Sequence, residues 1–402
     1  MIKLNLDRNK KYILTCSFGP DSMCLFSLLI SQGYNFVIAH VNYHLRKEEA
    51  DEYRLLKGIC EENKIELFTI DVHMPEGVNE EGWARDIRYD FFSDLSIKLG
   101  INDVLVAHNQ DDLLETYLLQ LKRKSVVTYY GLKEKYNYKK CSILRPLLGY
   151  MKSELKDYCD KNQVPYGLDL SNFDITYARN KIRKEIVKDM PTDKRQELIN
   201  EIKSKNSDKT LYISSLEKYI KKDLTILVDE VKNLNDVDLQ MLIIMYFEKL
   251  GFYHPISLSF ISEFKKILFI KSTWHKKMSE NAYFCVDYGV IKLYIMRISK
   301  YKYTLLDNVF KINPNSKLYR LIENKEIMIR NGLKSSDVCD FSGVKKKINR
   351  CFIDWKVPYC IRLIWPGVFS SDGELLYVPH YQKEYKEEKG SLLLFSLDDF
   401  IK

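Results

Sequence analysis

Four short apolar runs, each followed by a helix-like segment, constrain this chain more than any other feature. The runs are Tyr12–Cys16 (YILTC), Asn35–Val41 (NFVIAHV), Glu66–Val72 and Asp103–Ala107 (DVLVA), all of strand length. The intervening segments, Asp21–Ser31, Glu48–Asn63, Trp83–Leu99 and Asp111–Leu121, carry helical spacing; Cys24, Leu25, Leu28 and Leu29 recur on one face of the first. Almost wholly apolar strands alternating with helices predict a parallel sheet covered on both faces, an α/β nucleotide-binding fold of Rossmann type. Ligands in such sheets sit beyond the carboxyl ends of the strands. The polar residues of this region cluster at those ends.

Beyond this region the pattern changes. The stretch 191–222 is polar and lysine-rich, as expected of a helical, exposed connector. Residues 223–250 read as helical around the apolar LQMLIIMYFEKL, and after about Lys300 shorter Tyr-, Ile- and Val-rich runs with Asn-Gly turns predict strands. The expected organisation is a catalytic domain over 1–190, a charged linker over 191–210, a helical middle domain over 211–300 and a small α+β domain over 301–402. A chain of 402 residues exceeds one ordinary core, which agrees with several domains. No repeat of convincing period is present.

Composition excludes some classes. With 46% hydrophobic and 29% charged residues the chain is a folded protein, not a disordered one. It begins MIKLNLDRNKKYILTC, without a signal-peptide h-region, and no stretch has the length and apolarity of a membrane helix. Nine cysteines, an odd number with no C-x-x-C pair, argue against a disulfide framework or a zinc ribbon. They read as reduced thiols of a cytoplasmic protein. The net charge of +8 permits a polyanionic partner without requiring one.

The first strand runs into Ser17-Phe18-Gly19-Pro20-Asp21-Ser22 and then a helix. Free amides and the helix dipole at such a junction favour phosphate. An ordinary capped turn explains the same six residues equally well. No Walker loop occurs anywhere in the chain. After the second strand comes His40-Val41-Asn42-Tyr43-His44-Leu45-Arg46, and after the fourth Ala107-His108-Asn109-Gln110-Asp111-Asp112-Leu113-Leu114-Glu115-Thr116. In a helix Asp111, Asp112 and Glu115 share a face, either as first-turn stabilisers or as a cation site. Arg85 and Arg88 lie one turn apart in WARDIRYDFF, suited to solvent or to phosphate. Asp169-Leu170-Ser171-Asn172 and Arg179-Asn180-Lys181-Ile182-Arg183 follow. Near the end, Lys345, Lys346, Lys347, Arg350, Lys356 and Arg362 stand against the single acidic Asp354, with aromatics between them. That balance suits RNA phosphate and stacking contacts, or a basic solvated turn.

Taken together these segments resemble the tRNA(Ile)-lysidine synthase family of N-type ATP pyrophosphatases. Ser17–Ser22 is similar to the S-G-G-x-D-S loop, with Phe18 at the first glycine. His40–Arg46 is similar to H-V-[DN]-H-x-L-R, with Tyr43 at a histidine. Residues 107–116 match A-H-[HN]-x-D-D-x-x-E-T, the most specific of the set. Residues 84–89 resemble A-R-x-x-R-Y, 169–183 resemble D-x-S-N…R-N-x-x-R, and 346–358 resemble K-K-x-x-x-x-F-x-D-x-K-I-P. The resemblance implies ATP and Mg²⁺ as cofactors, and L-lysine and CAU-anticodon tRNA(Ile) as partners, with no membrane and with a homodimer allowed. It implies ATP binding by Ser17, Phe18, Gly19, Pro20, Asp21, Ser22 and His40. Asp21, Asp112, Glu115, His108, Arg85 and Arg183 would be catalytic, with Asp21 and Asp112 at the metal. RNA binding falls to Arg88, Arg179, Lys345, Lys346, Lys347, Arg350 and Lys356. Three other readings stay open: a tRNA thiolase of the same superfamily, an amidating ligase without RNA, and a non-catalytic RNA-binding protein.

Overall fold

The computed structural model describes residues 2–44, 49–75, 80–167, 181–270, 273–279, 281–295, 311–312, 327–331, 333–341, 344–378 and 393–394. The chain divides into two units, Met1–Tyr212 and Ile213–Lys402.

The first unit is built on a six-stranded sheet of order β3-β2-β1-β4-β6-β5. Its strands are β1 (Lys11–Thr15), β2 (Asn35–Asn42), β3 (Leu67–Asp71), β4 (Asp103–Leu105), β5 (Lys135–Tyr138) and β6 (Cys141–Leu144). The first four and β6 run parallel, and β5 closes the edge antiparallel to β6. Helices α1 (Pro20–Ser31), α2 (Glu49–Glu62), α3 (Glu80–Leu99), α4 (Gln110–Lys122) and α5 (Lys152–Lys161) complete the layers. The expected parallel α/β fold is therefore the observed one.

Alternation along the strands sends neighbours to opposite cores. Leu14, Ile38 and Leu105 join the cluster formed with Met23, Leu25 and Leu29 of α1 and Leu155 of α5. Ile13, Val37, Val104 and Ile143 join the other, with Tyr89, Phe92 and Leu95 of α3. Each such buried aliphatic contributes roughly 1.5–3 kcal/mol. The order 3-2-1-4 reverses direction between β1 and β4, so the turns after these two strands open one crevice.

The β5–β6 hairpin and its Lys139-Lys140 turn carry no strand signal strong enough to have been expected. The stretch expected as a charged linker is the first part of α6 (Thr192–Glu217), a single helix of 26 residues. Its Arg195, Ile202 and Asn206 are buried, and Ile202 packs with Leu114 and Tyr117 of α4. The lysine-rich surface hides a helical stripe that faces inward.

In the second unit, helices Asp236–Lys249 and Leu258–Phe269 accompany a four-stranded sheet of Ile226–Leu227, Val290–Ile295, Ala282–Asp287 and Trp274–Ser279. Sheet structure thus begins before residue 300, where helix alone was expected. Phe247, Phe264 and Phe284 meet edge-on or tilted between these layers. Strands Ile327–Asn331, Pro366–Ser370 and Leu375–Tyr377 form a smaller sheet, and Val338–Phe341 pairs with Val344–Lys347 in a hairpin. Trp365 is fully buried beside Phe352, Cys360 and Val368. Among the described residues no helix is long and apolar enough to cross a membrane.

Candidate active site

The turn after β1 is shaped by two residues of unlike kind. Phe18 adopts φ 63°, the left-handed region that an L side chain enters at a cost of about 1–2 kcal/mol. Its ring is 2% exposed and packs in the α1-side core, which offsets the strain. The side chain at the expected glycine position therefore points into the core. Gly19 then caps α1 with an extended backbone, and Pro20 occupies the first helical turn, where its missing N–H is no loss. Asp21 and Ser22 lie in that first turn, whose N–H groups lack intrahelical acceptors. Ser17 is exposed, whereas the buried Ser22 hydroxyl donates to the Gly19 carbonyl at 3.0 Å. His40 steadies the turn from β2, its Nδ1 lying 2.8 Å from the Cys16 carbonyl oxygen. Burial holds the His40 imidazole below its ordinary pKa.

Across the crevice, α4 begins with a capping box: Asn109 Oδ1 accepts from the Asp112 amide, and Asp112 Oδ2 accepts from the Asn109 amide. Asp112 Oδ1 lies 3.6 Å from Arg183 Nη2. Glu115 is completely buried and takes Arg183 in a two-pronged bond, Nε to Oε1 at 2.6 Å and Nη2 to Oε2 at 3.0 Å. Burial works most strongly against the Arg183 charge, but the Glu115 bond and the charges of Glu115, Asp112 and Asp21 together outweigh it and raise its pKa. Asp111 is not part of this group. It is bound by Arg195 of α6, Nη1 to Oδ1 at 2.7 Å, with both side chains buried.

Asp21 faces Asp112 and Arg183, and Lys152 Nζ at the start of α5 lies 3.6 Å from its Oδ2. Its Oδ1 is buried without a hydrogen-bond partner. Burial pushes the carboxyl up to about 6, Lys152 pulling it down and Asp112 pushing it further up. A bare carboxylate oxygen beside a second acidic side chain is what a hard cation fits. Among the described residues no three His, Cys, Asp or Glu side chains converge as a metal cage. Two carboxylates suit Mg²⁺, which keeps water and phosphate in its shell.

This geometry has counterparts among known proteins. Residues 2–190 match the ATP-binding PP-loop domain family. A tRNA(Ile)-lysidine synthase of Mycoplasma mycoides is 31% identical over 399 residues, covering 94% of this chain and 98% of the relative. One from Mesoplasma florum is 30% identical over 408 residues, covering 92% and 98%. The chain belongs to the tRNA(Ile)-lysidine synthase family. A further member, from Ureaplasma parvum, is 36% identical over 189 residues, 46% of this chain and 56% of its own.

Within this lysidine synthase family chain the remaining expected residues fall at several places. His108 follows β4 and accepts a hydrogen bond from Arg145 Nε at 2.8 Å. Arg85 stands on α3 with its guanidinium 4.5 Å from the Tyr89 ring centre, and Arg88 is exposed on the same helix. Tyr43 replaces a family histidine and donates to the Ala84 carbonyl at 3.1 Å, tying β2 to α3. Arg179, with the motif residues Asp169–Asn172, lies outside the described residues. In the second unit Lys345, Lys346 and Lys347 form an exposed strand, Arg350 reaches Asp354 at 3.1 Å, and Lys356 is exposed with φ 55°. Sequence reasoning missed Lys152, Arg145 and Arg195. Each sits far along the chain from the group it serves, in a segment with no motif to mark it.

Proposed function

We propose that the chain joins L-lysine to C2 of the wobble cytidine of CAU-anticodon tRNA(Ile), consuming ATP. The cytosine carbonyl oxygen attacks the α-phosphorus, pyrophosphate leaves, and the amine of lysine then displaces AMP from the activated carbon. The observation that carries this reading is the convergence of Asp21, Asp112, Glu115 and Arg183 at the mouth of the β1/β4 crevice. The full-length likeness to synthases of that name supports it.

The Ser17–Ser22 turn would take the pyrophosphate and His40 would hold its shape. Asp21 and Asp112 would hold Mg²⁺, which when bound neutralises charge on the phosphates. Glu115 holds Arg183 at the crevice, and Arg183, Arg85 and His108 would stabilise charge on phosphate and base. Most of the catalysis is then positioning and electrostatic stabilisation. The exposed Lys345–Lys347 strand with Arg350 and Lys356, together with Arg88 and Arg179, would meet tRNA phosphates. Burial of all nine cysteines argues against the thiolase reading. A catalytic domain ending near residue 190 and a cytoplasmic location complete the proposal, which allows a homodimer.

The test is incubation with ATP, Mg²⁺, labelled lysine and two transcripts, CAU-anticodon tRNA(Ile) and methionine tRNA. Label is expected only in the isoleucine tRNA and is lost on Asp112→Ala. Tight tRNA binding with an intact ATP site but no label overturns the reading.

A further inference from the structure

Arg145, one residue past β6, is 5% exposed. A guanidinium keeps its charge in proteins, so burying one is costly unless a carboxylate answers it. Among the described residues no carboxylate pairs with Arg145. Its Nε instead donates to His108 Nδ1 at 2.8 Å, its Nη1 donates to the Lys133 carbonyl at 2.5 Å, and its guanidinium lies 4.8 Å from the Tyr136 ring centre. The sheet sets this meeting: β4 and β6 are parallel neighbours, with Leu105 opposite Leu144, so the residues just past each strand emerge side by side.

The bond determines the state of His108. A guanidinium has donors and no acceptor, so Nδ1 must present its lone pair and the ring proton must sit on Nε2. Protonating Nδ1 would break the bond and set a second cation against a buried one. An imidazole so held donates from Nε2 and takes up no proton, a state that suits charge stabilisation and not proton transfer.

We propose that Arg145 is a positioning residue that fixes His108 as a neutral, Nε2-protonated imidazole, so that His108 acts as a hydrogen-bond donor to an anionic oxygen and not as a general base. The identity of that oxygen, on the nucleotide phosphate, rests on the reaction proposed above; the state of the ring does not.

The experiment is ¹⁵N NMR of the full chain labelled at histidine, with the His108 signals identified by their loss in His108→Gln. The wild type is expected to show an unprotonated Nδ1 and a protonated Nε2 at neutral pH. Arg145→Met removes the donor and the buried charge, and it leaves the Lys133 carbonyl without that bond, so thermal unfolding of the variant is measured alongside to establish that it folds. It is expected to give a mixture of tautomers and to lower kcat for tRNA-dependent AMP release by about 10–100-fold, the usual loss when an orienting partner is removed, with the ATP KM little changed. A protonated Nδ1 in the wild type overturns the proposal, whatever the fate of the variant. So does an Arg145→Met protein with unaltered tautomer or unaltered kcat. Absence of lysine transfer would sink the lysidine reading while leaving the tautomer measurement intact.

Discussion

Arg183 closes on Glu115 through two nitrogens, at 2.6 and 3.0 Å, across 68 residues of chain. Glu115 has no exposed surface, so its carboxylate cannot turn to water if Arg183 is removed, whereas the Arg183 side chain keeps 21% of its surface exposed. Glu115→Ala is expected to destabilise the first unit by about 1.5–3 kcal/mol, because it removes two charge-assisted bonds from a mostly buried guanidinium that keeps Asp112 at 3.6 Å. The double variant Glu115→Leu/Arg183→Met should recover much of that loss. Urea denaturation of the three proteins checks this, and a single-variant loss below about 1 kcal/mol would place the pair in the class of exposed ion pairs.

Asp21 carries a stability signature with a definite sign. Its native pKa, about 6, lies above the ordinary aspartate value of 3.8, so between these values the native state binds more protons than the unfolded chain. Stability is therefore expected to fall as pH rises through that window, by up to about 3 kcal/mol. Asp21→Asn should remove this slope. Urea midpoints of the two proteins at pH about 4.5 and about 7 measure it, and parallel profiles would refute it. The same titration predicts weaker Mg²⁺ binding below the native pKa, since the ligand must be ionised.

At position 18 the usual ranking of alanine over glycine should invert. Phe18→Ala keeps the left-handed strain and empties the ring's place in the core, for an expected loss of about 3–5 kcal/mol. Phe18→Gly empties the same space but adopts φ 63° freely, so it should lie about 1 kcal/mol above the alanine protein. Thermal unfolding of both decides; alanine as the more stable variant would show that the strain is absent in solution.

Replacing Lys345, Lys346 and Lys347 by alanine should weaken binding of tRNA(Ile) and methionine tRNA alike. The strand is exposed along its whole length, so folding should be unaffected. The slope of log affinity against log salt is expected to fall by about 0.7–0.9 for each phosphate that the variant no longer neutralises. Filter binding across a salt series reads this directly, and an unchanged slope removes the strand from the RNA surface.

Periodicity made the first four strands and their helices legible because β1, β2 and β4 are buried over most of their length and β3, though only half-buried, keeps the apolar Leu67, Phe68 and Ile70. The β5–β6 hairpin escaped because KYNYKKCSIL mixes Lys and Tyr at an edge, where one side meets water. Helix α6 escaped as a packing element because its inward residues, Arg195 and Asn206 among them, are polar. Spacing put Asp111, Asp112 and Glu115 together, but only Asp112 and Glu115 meet at Arg183, because spacing cannot say who answers each carboxylate. Arg195 claims one and Arg183 another, both from far along the chain. Phe18 was visible as a departure from glycine, yet only the backbone angle shows that the ring turns inward and leaves the turn open.

All nine cysteines are buried, five in the first unit and four in the second. Each thiol is therefore silent toward an alkylating reagent until its own surroundings come apart. Timed alkylation read by mass spectrometry would make Cys16, Cys24, Cys60, Cys141 and Cys159 one clock and Cys285, Cys339, Cys351 and Cys360 another. Two clocks running at one rate would mean that the units open in a single event; two rates would mean that each half of the molecule keeps its own time.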